Sequence, residues 1–240
     1  MYCAVVRDIT GTTTYLYKST DAGTNWIAMA NAPFSDWTRI QCNYDGTIVL
    51  AAQANGSLYL SEDGGDSWTA QTTGGSPIRW GAVYLSDNGR VLVGGQSDGG
   101  FLWVSVDGGT NWTLRGTSRR WTHISGSSDG SLICASATAF PATASLYTST
   151  DFGTTWTGSA IATNLAVYQT ATSINGNKFA FVAESYPALY ITQDGGAYWE
   201  SPSDPAAGFR YGIAITPDGT KLILGGNSTG SLRPETAVGT

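Results

Sequence analysis

The sequence predicts an all-β protein, a β-propeller of four-stranded antiparallel blades. Three observations carry that reading. Glycine makes up 31 of 240 residues against a usual share of about 7%, while charged residues are only 12%. One segment recurs five times along the chain at nearly even spacing. A second element, ending in an Asp-Gly or Asn-Gly turn, alternates with the first. Hydrophobic residues at 41% and aromatics at 12% are enough for a packed core.

The recurring segment first runs from Leu16 to Trp26. Its other copies run Leu58 to Trp68, Leu102 to Trp112, Leu146 to Trp156 and Leu189 to Trp199. Its aspartates are Asp21, Asp63, Asp107, Asp151 and Asp194, spaced by 42, 44, 44 and 43 residues. The alternating element begins at Trp37, Trp80, Trp121, Tyr168 and Tyr211. It ends at Asp45-Gly46, Asn88-Gly89, Asp129-Gly130, Asn175-Gly176 and Asp218-Gly219. A strand follows each turn and ends in small residues, as in Ala51-Ala52 and Gly94-Gly95, suited to close backbone approach near a ring axis. Each period therefore holds four short strands, A to D from the centre outward, and such sheets protect their edges by radial arrangement.

Within the first segment a short acidic side chain can accept backbone N–H groups of the C–D turn. Gly23, Gly65, Gly109, Gly153 and Gly196 supply a positive φ. Trp26, Trp68, Trp112, Trp156 and Trp199 are expected to bury their rings against the sheet. The segment resembles the Asp-box, or BNR repeat, Ser-x-Asp-x-Gly-x-Thr-Trp. The Thr place holds Asn25, Ser67, Asn111, Thr155 and Tyr198, and the fifth copy has Thr192 for Ser. The resemblance spans nearly the whole chain. It implies a propeller, as in sialidases, other glycoside hydrolases, photosystem assembly factors and non-enzymatic surface propellers. It implies fold more firmly than function.

The repeat gives five A, six B, six C and five D strands. Tyr2 to Val6 aligns with the B strands, and the chain closes on Leu222 to Gly226 and a C-like start that Pro234 interrupts. Six blades are expected, with five or seven as the other closures. Residues 1–233 read as a single domain and 234–240 as a frayed end.

Cys3, Cys42 and Cys134 are too few and too widely spaced for a disulfide framework or a zinc pattern, and are expected as small buried hydrophobes. His123 is the only histidine, so a multi-histidine metal site is impossible. It lies in a strand without a nucleophile motif. No metal and no organic cofactor are expected. A net charge of −6 disfavours nucleic acid. No apolar run reaches the roughly 18 residues of a membrane-spanning helix.

Antiparallel strands sort the loops onto two ends: A–B and C–D turns at one, B–C loops and D–A connections at the other. By analogy with other propellers the second end is expected to carry ligands. Its polar residues include Arg79, Arg120 and Arg210, each preceding an aromatic residue, with Asp98, Glu184 and Tyr186 in B–C loops. Three converging arginines would clamp a carboxylate. Trp37, Trp80, Trp121 and Tyr186 would stack on sugar or protein. The resemblance to sialidases would cast Tyr186 with Glu184 as nucleophile pair and Asp98 as acid/base. The Phe/Tyr-Arg-Ile-Pro motif of sialidases is absent, and arginines cluster only at Arg119-Arg120, unlike the assembly factors. The leading expectation is a non-catalytic propeller on a cell surface, secreted assembly or virion, binding a glycan or another protein. The other is a glycoside hydrolase.

Overall fold

A computed structural model describes residues 1–7, 14–33, 35–74, 77–138, 146–159, 161, 166–183, 189–202, 210–226 and 233–236. These residues form six antiparallel sheets in chain order. Sheet 1 comprises β1 (Tyr2–Arg7), β2 (Thr14–Ser19) and β3 (Ile27–Ala28). Sheet 2 comprises β4 (Trp37–Cys42), β5 (Val49–Gln53), β6 (Leu58–Ser61) and β7 (Thr69–Ala70). Sheet 3 holds β8 (Trp80–Leu85), β9 (Leu92–Gln96), β10 (Gly100–Ser105) and the first part of β11 (Thr113–Gly126). The rest of β11 opens sheet 4, followed by β12 (Ile133–Thr138), β13 (Leu146–Ser149) and β14 (Thr157–Gly158). One strand thus serves as D of sheet 3 and A of sheet 4. Sheet 5 comprises β15 (Val167–Thr172), β16 (Phe179–Ala183) and β17 (Leu189–Thr192), with a bridge from Ile191 to Glu200 in the D place. Sheet 6 comprises β18 (Arg210–Ile215), β19 (Lys221–Gly226) and β20 (Arg233–Thr236).

The pairing registers correct two expectations. Trp37, Trp80 and Trp121 each pair with the last or near-last residue of the following strand, and so do Val167 and Arg210. The fourth and fifth inner strands therefore begin one residue before Tyr168 and Tyr211. An aromatic one place late misleads a reading based on residue type. Pro234 does not end its strand: it pairs with Ile223, and β20 continues to Thr236. An edge strand tolerates a missing donor on its open side.

The core lies between sheets, in five clusters, because strand residues alternate between two faces and both faces are covered. Leu16, Trp37 and Ala51 join sheets 1 and 2; Leu50, Leu58, Trp80 and Leu85 join sheets 2 and 3. Val93, Leu102, Trp121 and Ile133 join sheets 3 and 4. Phe179, Phe181 and Trp199 pack on Cys134 and Leu146, and Val182, Leu189, Leu222 and Leu224 join sheets 5 and 6. Glycine is required where rings enter: a Cβ on Gly94 would sit 2.6 Å from the Trp80 ring, and one on Gly95 2.7 Å from Trp121 Cβ.

The A–B turns are joined to one another. Asp87 N–H donates to Ser128 O at 2.7 Å, Ser128 N–H to Ile174 O at 2.7 Å and Ile174 N–H to Pro217 O at 2.9 Å. At the other end of this relay, Tyr44 N–H donates to the Asp87 carboxylate at 3.1 Å. The relay thus links sheets 2 to 6 at one end of the molecule. It stops at Pro217, which has no N–H to pass on.

Candidate functional site

The acidic C–D turns share one geometry. The Ser or Thr two residues before the aspartate donates to its carboxylate, at 2.8 Å for Ser61–Asp63 and Ser105–Asp107. The same hydroxyl accepts the N–H of the glycine, at 2.8 Å for Gly65 and Gly109. The carboxylate accepts the N–H four residues on, from Asn25, Ser67, Asn111, Thr155 and Tyr198, at 2.8–3.0 Å. In the first four copies its second oxygen takes the side chain of that residue as well. Each tryptophan N–H donates to the glycine carbonyl within its own turn. These bonds favour the ionised form. Backbone and side-chain bonds from Asn25 hold Asp21 down to about 2, and bonds from Ser67 hold Asp63 down to about 2. Asp107, Asp151 and Asp194 are lowered as well. Such carboxylates are poor general acids at neutral pH. Four of the tryptophan rings are half-buried or buried, as expected. Trp26 is 44% exposed, because among the described residues no sheet packs on that side of sheet 1.

The glycine pattern extends to the residue before each box glycine. Gly64, Gly108 and Gly195 stand there in the left-handed region, but the first and fourth copies place Ala22 and Phe152 at φ 59° and 60°. A non-glycine residue at such a φ is uncommon and marks a place to look for function. Phe152 is 45% exposed, and Tyr198 and Tyr44 on the same end of the molecule are 68% and 80% exposed.

The same end opens into an axial cavity of about 820 Å³. Its wall draws on every sheet, through Tyr2, Tyr44, Asp87, Ser128, Ile174 and Pro217 among others. Cys3 and Cys42 also face it and are half-buried, unlike the expected buried cysteines; Cys134 alone is fully buried. Positions near a turn at the channel mouth cannot be recognised from an apolar run alone. Tyr84 reaches the same wall, but its phenol donates to Ser127 O and burial pushes its pKa up, so it is a fixed donor.

At the loop end the three tryptophans of the expected stacking platform are not available to a ligand. Trp37, Trp80 and Trp121 are 3%, 2% and 0% exposed. They are core wedges, and Trp80 and Trp121 donate their ring N–H to Gly56 O and Gly100 O of the preceding sheet. Arg79 and Arg120 are exposed at equivalent places in sheets 3 and 4. Arg210 stands one place later in the pattern, in register with the tryptophans. Arg119 stacks on a ring: its guanidinium carbon lies 5.3 Å from the centroid of Tyr147. Asp98 is exposed in its B–C loop, and Glu184 and Tyr186 lie outside the described residues. Among the described residues no cluster of three His, Cys, Asp or Glu side chains could hold a metal ion.

No protein-family model matches the chain, and no curated protein matches it. Solved structures do. An ancestral GH74 enzyme is similar with a TM-score of 0.64 at 14% identity, over 95% of this chain and 35% of that one. The GH74 enzyme of Niastella koreensis is similar with a TM-score of 0.65 at 15% identity, over 92% of this chain and 40% of that one. YCF48 bound to D1 peptide is similar with a TM-score of 0.66 at 18% identity, over 95% and 73%. The chain spans well under half the length of the two GH74 enzymes. The fold these sheets define is that of a β-propeller.

Proposed function

We propose that this chain is a non-catalytic interaction module, a six-bladed propeller of the Asp-box kind, displayed on a cell surface, secreted assembly or virion to hold a glycan or another protein. The observation that carries this reading is the state of its conspicuous carboxylates. All five repeat aspartates accept bonds from their own turns. That is the work of a fastener, and it leaves none of them as a general acid. The exposed aromatics Tyr44, Phe152 and Tyr198 at the turn end are the platforms for a sugar ring or an apolar side chain. Arg79 and Arg120 at the loop end form a second, polar surface for the same kind of partner.

A glycan array tests the reading. The unsubstituted chain is expected to retain a definable glycan class. Tyr44→Ala with Tyr198→Ala, or Arg79→Ala with Arg120→Ala, is expected to weaken retention without changing Tm, and so to identify the end used. The alternative, a glycoside hydrolase, is favoured by the GH74 likeness alone. Turnover of fluorogenic sialosides or β-glucans, abolished by Glu184→Gln, would replace the binding module with that enzyme.

A further inference from the structure

Two cysteines meet where the repeat places leucines. Cys3 pairs with Lys18 on β1 and β2, as Leu50 pairs with Leu60 one sheet later. Cys42 pairs with Val49 on β4 and β5, as Leu85 pairs with Leu92. Leu50 and Leu85 belong to one packed cluster between sheets 2 and 3. The equivalent pair between sheets 1 and 2 is two thiols, and Cys42 Sγ also donates to the Met1 carbonyl at 3.6 Å. Both border the axial cavity, so a small reagent has a route to them. We propose that Cys3 and Cys42 are a reversible disulfide site, an oxidation-controlled fastener between the first two sheets.

The surroundings suit that chemistry. The neighbouring thiols shift one another, Cys42 downward and Cys3 upward, which favours Cys42 as the first thiolate. A thiolate is the attacking species in disulfide exchange. With a low-molecular-weight disulfide as oxidant, the Cys42 thiolate attacks one of its sulfurs. A mixed disulfide forms and one small thiolate leaves. Cys3 then gives its proton to water and attacks the Cys42 sulfur. The Cys3–Cys42 bond forms and the second small thiolate leaves. Two protein thiols are oxidised and one small disulfide is reduced to two thiols. Cys134 is fully buried, and burial pushes its thiol pKa up, so it is an internal control within the same chain.

The fastener would join the least covered sheet to its neighbour. At present those sheets share Leu16 and Trp37 contacts and the ion pair of Lys18 with Asp66, 2.8 Å apart. Closing the chain from residue 3 to residue 42 removes freedom from the unfolded state.

The test uses the whole chain, reduced and then incubated with oxidised glutathione at mildly alkaline pH, followed by alkylation under denaturing conditions and peptide mass mapping. The expected product is a cross-linked peptide pair containing Cys3 and Cys42, two hydrogens lighter than the free peptides, with Cys134 alkylated. Tm is expected to rise by about 5 °C and to fall back with dithiothreitol. Cys3→Ser and Cys42→Ser are each expected to stop at a glutathione adduct on the remaining partner, with no gain in Tm. Adducts without a cross-link in the unsubstituted chain, or a cross-link through Cys134, would overturn the site. A Cys3–Cys42 cross-link that left Tm unchanged would overturn its role as a fastener. The unsubstituted chain decides these outcomes even if a serine variant fails to fold.

Discussion

Within one acidic turn the hydroxyl and the carboxylate do different jobs, and burial separates them. Ser105 is buried and its oxygen satisfies the N–H of Gly109, whereas Asp107 is exposed and serves groups that water can also reach. Ser105→Ala strands the part-buried N–H of Gly109 and is expected to cost about 1–3 kcal/mol. That corresponds to a fall in Tm of roughly 3–9 °C for a domain of this size. Asp107→Ala is expected to cost less, because the freed N–H of Asn111 is hydrated. Thermal melts of the two variants check the order, and a larger loss for Asp107→Ala would refute it. The carboxylates have a collective signature with pH. Their folded pKa values lie below the ordinary carboxylate value of 3.8, with Asp21, Asp63 and Asp218 held at about 2 by their turns. Their support is therefore complete above pH 4 and is lost as pH falls from about 4 to about 2. Tm measured across that window should drop steeply. A flat profile would mean that the turns do not depend on the charge.

Between sheets, polar contacts matter near the axis, where the inner strands crowd. His123 on β11 shares a hydrogen bond with the Thr170 hydroxyl, 3.0 Å away, while its Nδ1 lies 3.3 Å from the Thr170 N–H. Ser125 adds bonds to Thr170 and Thr172. Burial, with the charge of Arg39 nearby, lowers the His123 pKa to about 4. The folded state therefore prefers neutral imidazole. Its contribution is present above the unfolded value near pH 6.5 and is lost as pH falls toward 4. Urea midpoints at pH 7 and pH 4.5 are expected to differ in the unsubstituted chain and to converge in His123→Gln. Equal differences in both proteins would remove His123 from the account. This contact also shows what the sequence discloses. Evenly spaced acidic turns and small-residue strand ends gave the strands, their order and the hairpins. The inter-sheet partners depend on a bulge in each inner strand, as between Trp121 and His123, and no residue type marks a bulge. For the same reason Trp37, Trp80 and Trp121 were legible as aromatics at an inner strand but not as wedges in the preceding sheet. Cys3 and Cys42 read as apolar until register brings them together.

Across the whole molecule each sheet is clamped on both sides except the ends of the series. The box tryptophan of sheets 2 to 5 packs toward the preceding sheet, as Trp68 does beside Leu16 and Trp112 beside Leu50. Trp26 has no such neighbour among the described residues, and Tyr2, Val6 and Tyr15 share its exposure on sheet 1. The counterparts of these strands in sheet 2 are sealed, with Val49, Leu50, Ala51 and Ala52 all at 0% exposure. The relay of turn peptides starts at Tyr44 of sheet 2, so sheet 1 takes no part in it. Local opening follows few buried contacts and exposed backbone bonds. Amide hydrogen exchange should therefore be fastest in β1 and β2 and slowest in β9 and β12, which lie inside the doubly covered sheets. Trp26→Ala should change exchange in sheet 1 little, whereas Trp112→Ala should accelerate it across sheets 2 and 3. Protection of β1 equal to that of β9 would show that another surface covers sheet 1 in solution, and the graded stability inferred from the exposed ring would be wrong.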